Sequence, residues 1–256
     1  MEKNRQENNS GKPSGSYRKS IYDFYEKSQG MAVPISLQDI EFKSSRLRKL
    51  IKDSFPASRE ARILELGCGQ GALIHFARQE GYKNIEGIDV SPGQVAVAHK
   101  LGIEGVRQGD ALKELMEQKD GSLDAVITYD FLEHFTKDEV WTIASNVVRV
   151  LAPGGRWIIH VPNSESPFGG TIAYGDYTHE SVFNRHSLNQ LIRTAGFSTC
   201  EFSEDQPLIH GPVSASRFIL WKLVRLVLRF VLAVETGDLG RDRILSQNIN
   251  AVAKKL

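Results

Sequence analysis

The stretch Ile63-Leu64-Glu65-Leu66-Gly67-Cys68-Gly69-Gln70-Gly71-Ala72 decides the fold. Together with Arg62, its first half is a short apolar run that glycine ends, the pattern of a buried strand. Gly67, Gly69 and Gly71 fall on alternate positions, and residues 72–78 then have helical character. Strand, glycine turn and helix open a nucleotide-binding βαβ unit, in which a helix N-terminus and bare backbone meet the ligand. Gly67, Gly69 and Ala72 also satisfy the dinucleotide pattern G-x-G-x-x-G/A, so the turn alone fits two kinds of cofactor. Glu65 separates them. A carboxylate beside the turn repels a pyrophosphate and suits a ligand carrying an ammonium and a sulfonium.

Working outward, residues 84–90 read as a second strand, with Asp89 near its end, about 20 residues past the turn, where a carboxylate reaches ribose hydroxyls. Ser91 and Pro92 suit the N-cap and first position of the next helix, and Gln94 falls in its first turn. A third strand is expected over 103–107, closed by Gly109-Asp110-Ala111, and a fourth over 123–129, followed by Asp130-Phe131-Leu132-Glu133-His134-Phe135. An amphipathic helix over 137–151, a turn at 152–155 and a fifth strand over 156–161 come next. A loop-rich stretch over 163–185, a helix over 187–195 and strands over 197–203 and 244–253 complete the reading.

In this order the residues resemble the class I S-adenosylmethionine-dependent methyltransferases, whose first motif is an acidic residue followed by G-x-G-x-G. The resemblance covers roughly 36–196 and the last strand. It implies an α/β, Rossmann-like fold: a seven-stranded, mostly parallel sheet with an antiparallel last strand and helices on both faces. It also implies that S-adenosylmethionine is held by Glu65, Gly67, Cys68, Gly69, Gly71, Asp89, Val90, Gln94, Asp110, Ala111, Asp130 and Phe131, with Asp110 on the adenine amino group. A dehydrogenase is the other reading of the glycine turn.

The 256 residues, 41% apolar and 25% charged, make one globular domain with an extension or insert. The expected divisions are a disordered tail over 1–16, N-terminal helices over 17–55 that could form a lid, a core over 56–203, an insert over 204–243 and a final strand over 244–256. A net charge of +1 gives no footprint for nucleic acid. Cys68 and Cys200 form neither a disulfide framework nor a metal-spaced pair, which points to a reducing cytoplasm. In the insert, 218–234 is apolar except for Lys222, Arg225 and Arg229, at i, i+3 and i+7 on one face. That is short and charged for a membrane span. The segment is expected to pack on the sheet, to pack on a second copy in a homodimer, or to rest 217–234 on the anionic inner face of the membrane.

Methyl transfer to an oxygen needs a base for the departing proton. His134 and His179 are the histidines expected at the C-terminal edge of the sheet, and Asp176 is close enough in sequence to orient an imidazole. His75, His99, His160, His186 and His210 read as structural. Asp130, Glu133 and His134 share a face on a helical turn and could hold Mg²⁺, but capping explains the same pattern and no metal is assigned. The loop around Asp176 and His179, with the basic insert, is most like enzymes that methylate sugars. The expected acceptor is therefore a sugar hydroxyl of a surface polysaccharide, glycolipid or sugar nucleotide. A small aromatic such as a quinone precursor is the alternative, and a non-catalytic cofactor-binding scaffold is the alternative of another class.

Overall fold

The computed structural model describes residues 17–22, 34, 36–238, 240 and 242–256, without the side chains of residues 19 and 20. The tail expected over 1–16 lies outside them, as do residues 23–33 of the helices expected over 17–55; the first described helix is α1, Tyr17–Tyr22.

Seven strands form one sheet: β1 Ile63–Leu66, β2 Ile85–Asp89, β3 Val106–Gln108, β4 Leu123–Tyr129, β5 Leu151–Pro162, β6 Thr199–Glu204 and β7 Asn248–Lys254. Their order is β3-β2-β1-β4-β5-β7-β6. The first five are parallel, and β7 runs antiparallel to both β5 and β6. Every residue of β1 is buried, as expected of a central parallel strand covered on both faces. Leu64 and Leu66 join one core, with Val140, Ile143 and Val147 of α6 (Lys137–Val150). Ile63 joins the other, with Leu47 and Ile51 of α2 (Ser44–Ser54) and Leu73 and Ile74 of α3 (Ala72–Gln79). Strand order reverses between β1 and β4. At such a switch point the loops part on the C-terminal edge and leave a crevice.

Several boundaries differ from expectation. The second of the helices expected within 17–55 is a 3-10 turn, Leu37–Lys43, followed by α2, because Ser36 and Asp39 make a capping box that tightens the start. Strand β3 begins at Val106 rather than Ile103. The Ile103 N–H closes the end of α4 (Pro92–Lys100) on the Ala98 carbonyl, and Gly105 then turns with φ +83°. The glycine turn expected before the fifth strand lies inside β5, as an irregularity in which Leu151 faces Leu123 and Arg156 faces Ala125. Strand β7 begins at Asn248, not Ile244, since Asn163 Nδ2 holds the Ile244 and Ser246 carbonyls outside the ladder.

The insert is dominated by the helix Pro212–Thr236, here α9, with the short α7 (Gly170–Ala173) and α8 (Arg185–Ala195) preceding it in the chain. Of its basic residues Arg217 and Lys222 are exposed, whereas Arg225 and Arg229 turn inward. Arg225 is buried and ion-paired with Glu204 at 3.3 Å, and the Arg229 guanidinium donates to the Arg243 carbonyl at 3.2 Å. Leu223, Leu226, Val227, Phe230 and Val234 point outward instead, each more than half exposed. No helix among the described residues is long and apolar enough to cross a membrane. Because Pro162 pairs with Asn248 and Ile249 with Glu204, β6 ends and β7 begins at the edge where β5 ends. The insert therefore leaves the sheet at the edge that carries the crevice.

Candidate functional site

A cavity of about 1000 Å³ opens at the switch point. Its floor is the glycine turn. The Gly67 and Cys68 N–H groups both donate to the Ile88 carbonyl, at 2.8 and 3.1 Å, which pins the turn to β2. A Cβ on Gly67 would meet the Phe131 ring at 2.4 Å, and φ there is +72°, so glycine keeps this wall open. Gly71 differs from expectation. It is not on the cavity wall; it is the left-handed N-cap of α3, and a Cβ there would strike Val106 at 2.6 Å.

Glu65 lies on the wall, buried, and its Oε2 has no hydrogen-bond partner. Burial, followed by the nearby Asp89 charge, pushes its carboxyl well above the usual range. An orphaned buried acid on a cavity wall is what a ligand cation would satisfy. Asp89 accepts the Gly69 N–H on Oδ2 at 2.8 Å and the Ser91 N–H on Oδ1 at 2.9 Å, and each oxygen keeps a lone pair for a hydroxyl. Burial raises its carboxyl despite those two bonds. Asp110 Oδ1 caps α5 (Ala111–Glu117) by accepting the Leu112 and Lys113 N–H groups. Cys68, Gly69, Val90, Gln94, Asp110 and Ala111 also line the cavity. The donor set thus offers an acid for a cation, an acid for hydroxyls and an acid at the far end. That combination fits S-adenosylmethionine.

At the other end, Asp130 and Phe131 line the wall past β4. Asp130 has φ +50°, alone among described non-glycine residues in this region. The cost is set against its bond to His160, whose Nδ1 lies 2.6 Å from Asp130 Oδ1. Desolvation would raise the Asp130 carboxyl, but His160, with His134 and Arg46 nearby, holds it below the usual range. His160, read from sequence as structural, stands behind the wall: β5 aligns it with Tyr129, on which it stacks at 4.1 Å, and it holds Asp130. The parallel register was the missing signal.

His134 lines the cavity; Asp176 and His179 do not. His179 shares its Nδ1 proton with the Ala173 carbonyl at 3.0 Å, and its ring lies edge-on to His134 at 4.8 Å. Asp176 accepts from the Thr178 hydroxyl at 2.7 Å, and the same hydroxyl lies 2.7 Å from His134 Nδ1. Burial, then the neighbouring His179, pushes the His134 imidazole down to about 4, so it is neutral near pH 7. Glu133, His134 and His179 bring three ligand atoms within 4.8 Å of one another, whereas the Asp130 carboxylate is turned to His160 instead of completing the trio expected from spacing. Burial, with Asp130 nearby, drives the Glu133 carboxyl up.

Helix α1 packs against this end. The Arg18 guanidinium donates both ways into the Glu139 carboxylate, at 3.1 and 2.9 Å, and Tyr22 lines the cavity with its phenol pushed up to about 12 by burial. Phe42, Tyr129 and Phe135 add aromatic wall. Of these, Tyr22 and Phe42 belong to the segment read from sequence as a candidate lid, and Phe135 closes the stretch that follows the fourth strand.

A family model described as a methyltransferase domain matches residues 40–201. The chain is 27% identical over 184 residues to the O-methyltransferase resE of Aspergillus sclerotiorum, covering 67% of each. It is 33% identical over 107 residues to a ubiquinone biosynthesis O-methyltransferase of Xanthomonas oryzae, covering 40% of this chain and 44% of that one. A third relative, the norajmaline N-methyltransferase of Rauvolfia serpentina, is 32% identical over 112 residues. The chain thus spans less than half the length of the latter two, covering 44% and 37% of them. Among solved structures, a SAM-dependent methyltransferase from Archaeoglobus fulgidus superposes with a TM-score of 0.66 over 91% of this chain and 99% of that one, at 21% identity.

Proposed function

Because the chain belongs to the methyltransferase-domain family and has the fold and cofactor of class I S-adenosylmethionine-dependent enzymes, we propose that it O-methylates a small, largely apolar or aromatic molecule. When bound, S-adenosylmethionine supplies an electrophilic methyl on a sulfonium. In this reading Glu65 meets the ammonium, Asp89 the ribose hydroxyls and Asp110 the adenine amino group. Tyr22, Phe131 and Phe135 confine the acceptor, and neutral His134 takes the proton that its hydroxyl loses.

One observation carries this reading: the wall beside His134 is aromatic. The sugar acceptor was expected from the loop with Asp176 and His179 and from the basic insert; neither of those two side chains lines the cavity, which weakens the first support. Both O-methyltransferases among the relatives are consistent with the proposal. A turnover screen with catechols, other phenols and sugar nucleotides, read as S-adenosylhomocysteine formed, tests it. Methylation of a phenolic hydroxyl is the expected result; turnover confined to sugar nucleotides would sink the acceptor class.

We infer that α9 brings the crevice edge to an anionic lipid surface, on the cytoplasmic side where Cys68 and Cys200 stay reduced. Its apolar stripe supports this, as do exposed Arg217 and Lys222 and a helix whose one acidic residue is Glu235, next to its end. Such a surface would also concentrate an apolar acceptor. Phosphatidylglycerol vesicles should carry the chain down on centrifugation, and Leu226→Asp with Phe230→Asp should release it. A chain that ignores the vesicles and dimerises through this stripe would overturn the inference.

A further inference from the structure

We propose that Thr178 is a positioning residue that dictates which nitrogen of His134 carries the proton. The proposal rests on His134 being the base, but concerns a property that can be read without turnover. Thr178 is fully buried, with its hydroxyl oxygen 2.7 Å from Asp176 Oδ1 and 2.7 Å from His134 Nδ1. Asp176 Oδ1 also accepts the Thr178 N–H at 2.9 Å, which holds the carboxylate and hydroxyl in one rigid turn.

The direction of each bond follows from what each group can do. A carboxylate only accepts, so the single hydroxyl proton of Thr178 goes to Asp176. The oxygen then presents only lone pairs to the imidazole, and His134 Nδ1 must be the donor. A neutral imidazole has one N–H. It sits on Nδ1, and Nε2 keeps the lone pair that a base needs. Tyr22 also hydrogen-bonds Thr178.

The surroundings keep this arrangement in place. The Glu180 and Ser181 N–H groups both donate to the Glu133 carbonyl, at 2.7 and 3.0 Å, so the Thr178 loop is fastened to the residue next to His134. Charged or titratable neighbours of the ring are Asp130, Glu133, Asp176 and His179, with Tyr22 at 6.2 Å between ring centroids. The His179 Nδ1–H is itself engaged with the Ala173 carbonyl.

Nitrogen-15 NMR of histidine-labelled protein at pH 7 tests the assignment. In the wild type the His134 signals should report a protonated Nδ1 and a bare Nε2. Thr178→Ser should keep that pattern. Thr178→Val, which removes the hydroxyl and leaves the Thr178 backbone that also hydrogen-bonds His134, should populate the Nδ1 proton less than the wild type does. Asp176→Asn provides a second route if Thr178→Val does not fold: its amide can donate into Thr178, which turns the hydroxyl towards His134 and moves the ring proton to Nε2. A wild-type ring already protonated at Nε2, or an Nδ1 proton that persists undiminished in both Thr178→Val and Asp176→Asn, would overturn the proposal. If the tautomer follows Thr178 while His134→Ala keeps full turnover on a phenol, the positioning holds and it is the base assignment that falls.

Discussion

The two ends of the cavity are built on different scales of the chain. The end with Glu65, Asp89 and Asp110 comes from consecutive strand ends, each carboxylate set by its own strand and the turn that follows it. The end with Tyr22, His134 and Thr178 is gathered from α1, the turn after β4 and a loop 44 residues further on. The first is local and repeats the geometry of its fold. The second is tertiary, and its chemistry depends on contacts that no single segment specifies. The difference suggests that cofactor binding and proton transfer can be damaged separately.

The largest expected effect tests that separation directly. His134→Ala should lower kcat by about 10²- to 10⁴-fold, the usual contribution of a positioned base, while binding of S-adenosylhomocysteine changes by less than about threefold. His179→Ala, whose ring stands behind His134, should cost less than about tenfold. Equal losses in the two variants would erase the distinction between wall and support.

A second test concerns stability. The His134 imidazole, ordinarily near 6.5, is held at about 4 in the folded chain. Above 6.5 the ring is neutral folded or unfolded and its contribution is complete. As pH falls from 6.5 towards 4, the unfolded chain binds a proton that the folded chain refuses, so stability drops, by about 3 kcal/mol in all. Urea unfolding at pH 7 and pH 4.5 should show a smaller loss in His134→Gln than in the wild type. Identical losses would mean that the ring is not desolvated as its burial indicates.

The smallest effect belongs to the cofactor end. Glu65 is held protonated more readily than an ordinary carboxyl, so a ligand ammonium should ionise it and release a proton. Calorimetry of S-adenosylhomocysteine binding in buffers of different ionisation enthalpy should detect that proton, and Glu65→Gln should abolish it while weakening binding by about tenfold. Proton release that survives the substitution would place the cation elsewhere.

The uneven legibility of the site follows the same division. Glu65, Gly67, Asp89 and Asp110 could be picked out because each stands at a strand end whose apolar run is visible in the chain, and parallel strands put such ends on one edge. Gly71 reads like Gly67 and Gly69 because alternate glycines look alike in sequence; only packing against Val106 separates a turn that opens a wall from one that lets a helix approach a strand. His160 was passed over because its partner Asp130 lies 30 residues away, across a register that spacing does not reveal. For α9 the periodicity located the basic stripe but not its direction. Glu204 and the Gly240 and Arg243 carbonyls draw Arg225 and Arg229 inward, and the apolar side is left outside.

By itself, then, the sequence determined the run of strands and helices, the glycine turn and the positions of Glu65 and Asp89, because strand and helix periods and turn chemistry are local properties, while the resemblance to a family implied the sheet they form. Tertiary structure alone decided that His134 and not His179 faces the cavity, and that Thr178 stands between Asp176 and the ring. Which side of α9 meets the surroundings was also settled only there. Each of these depends on how distant segments meet, and hydrogen-bond direction and burial exist only once they have met.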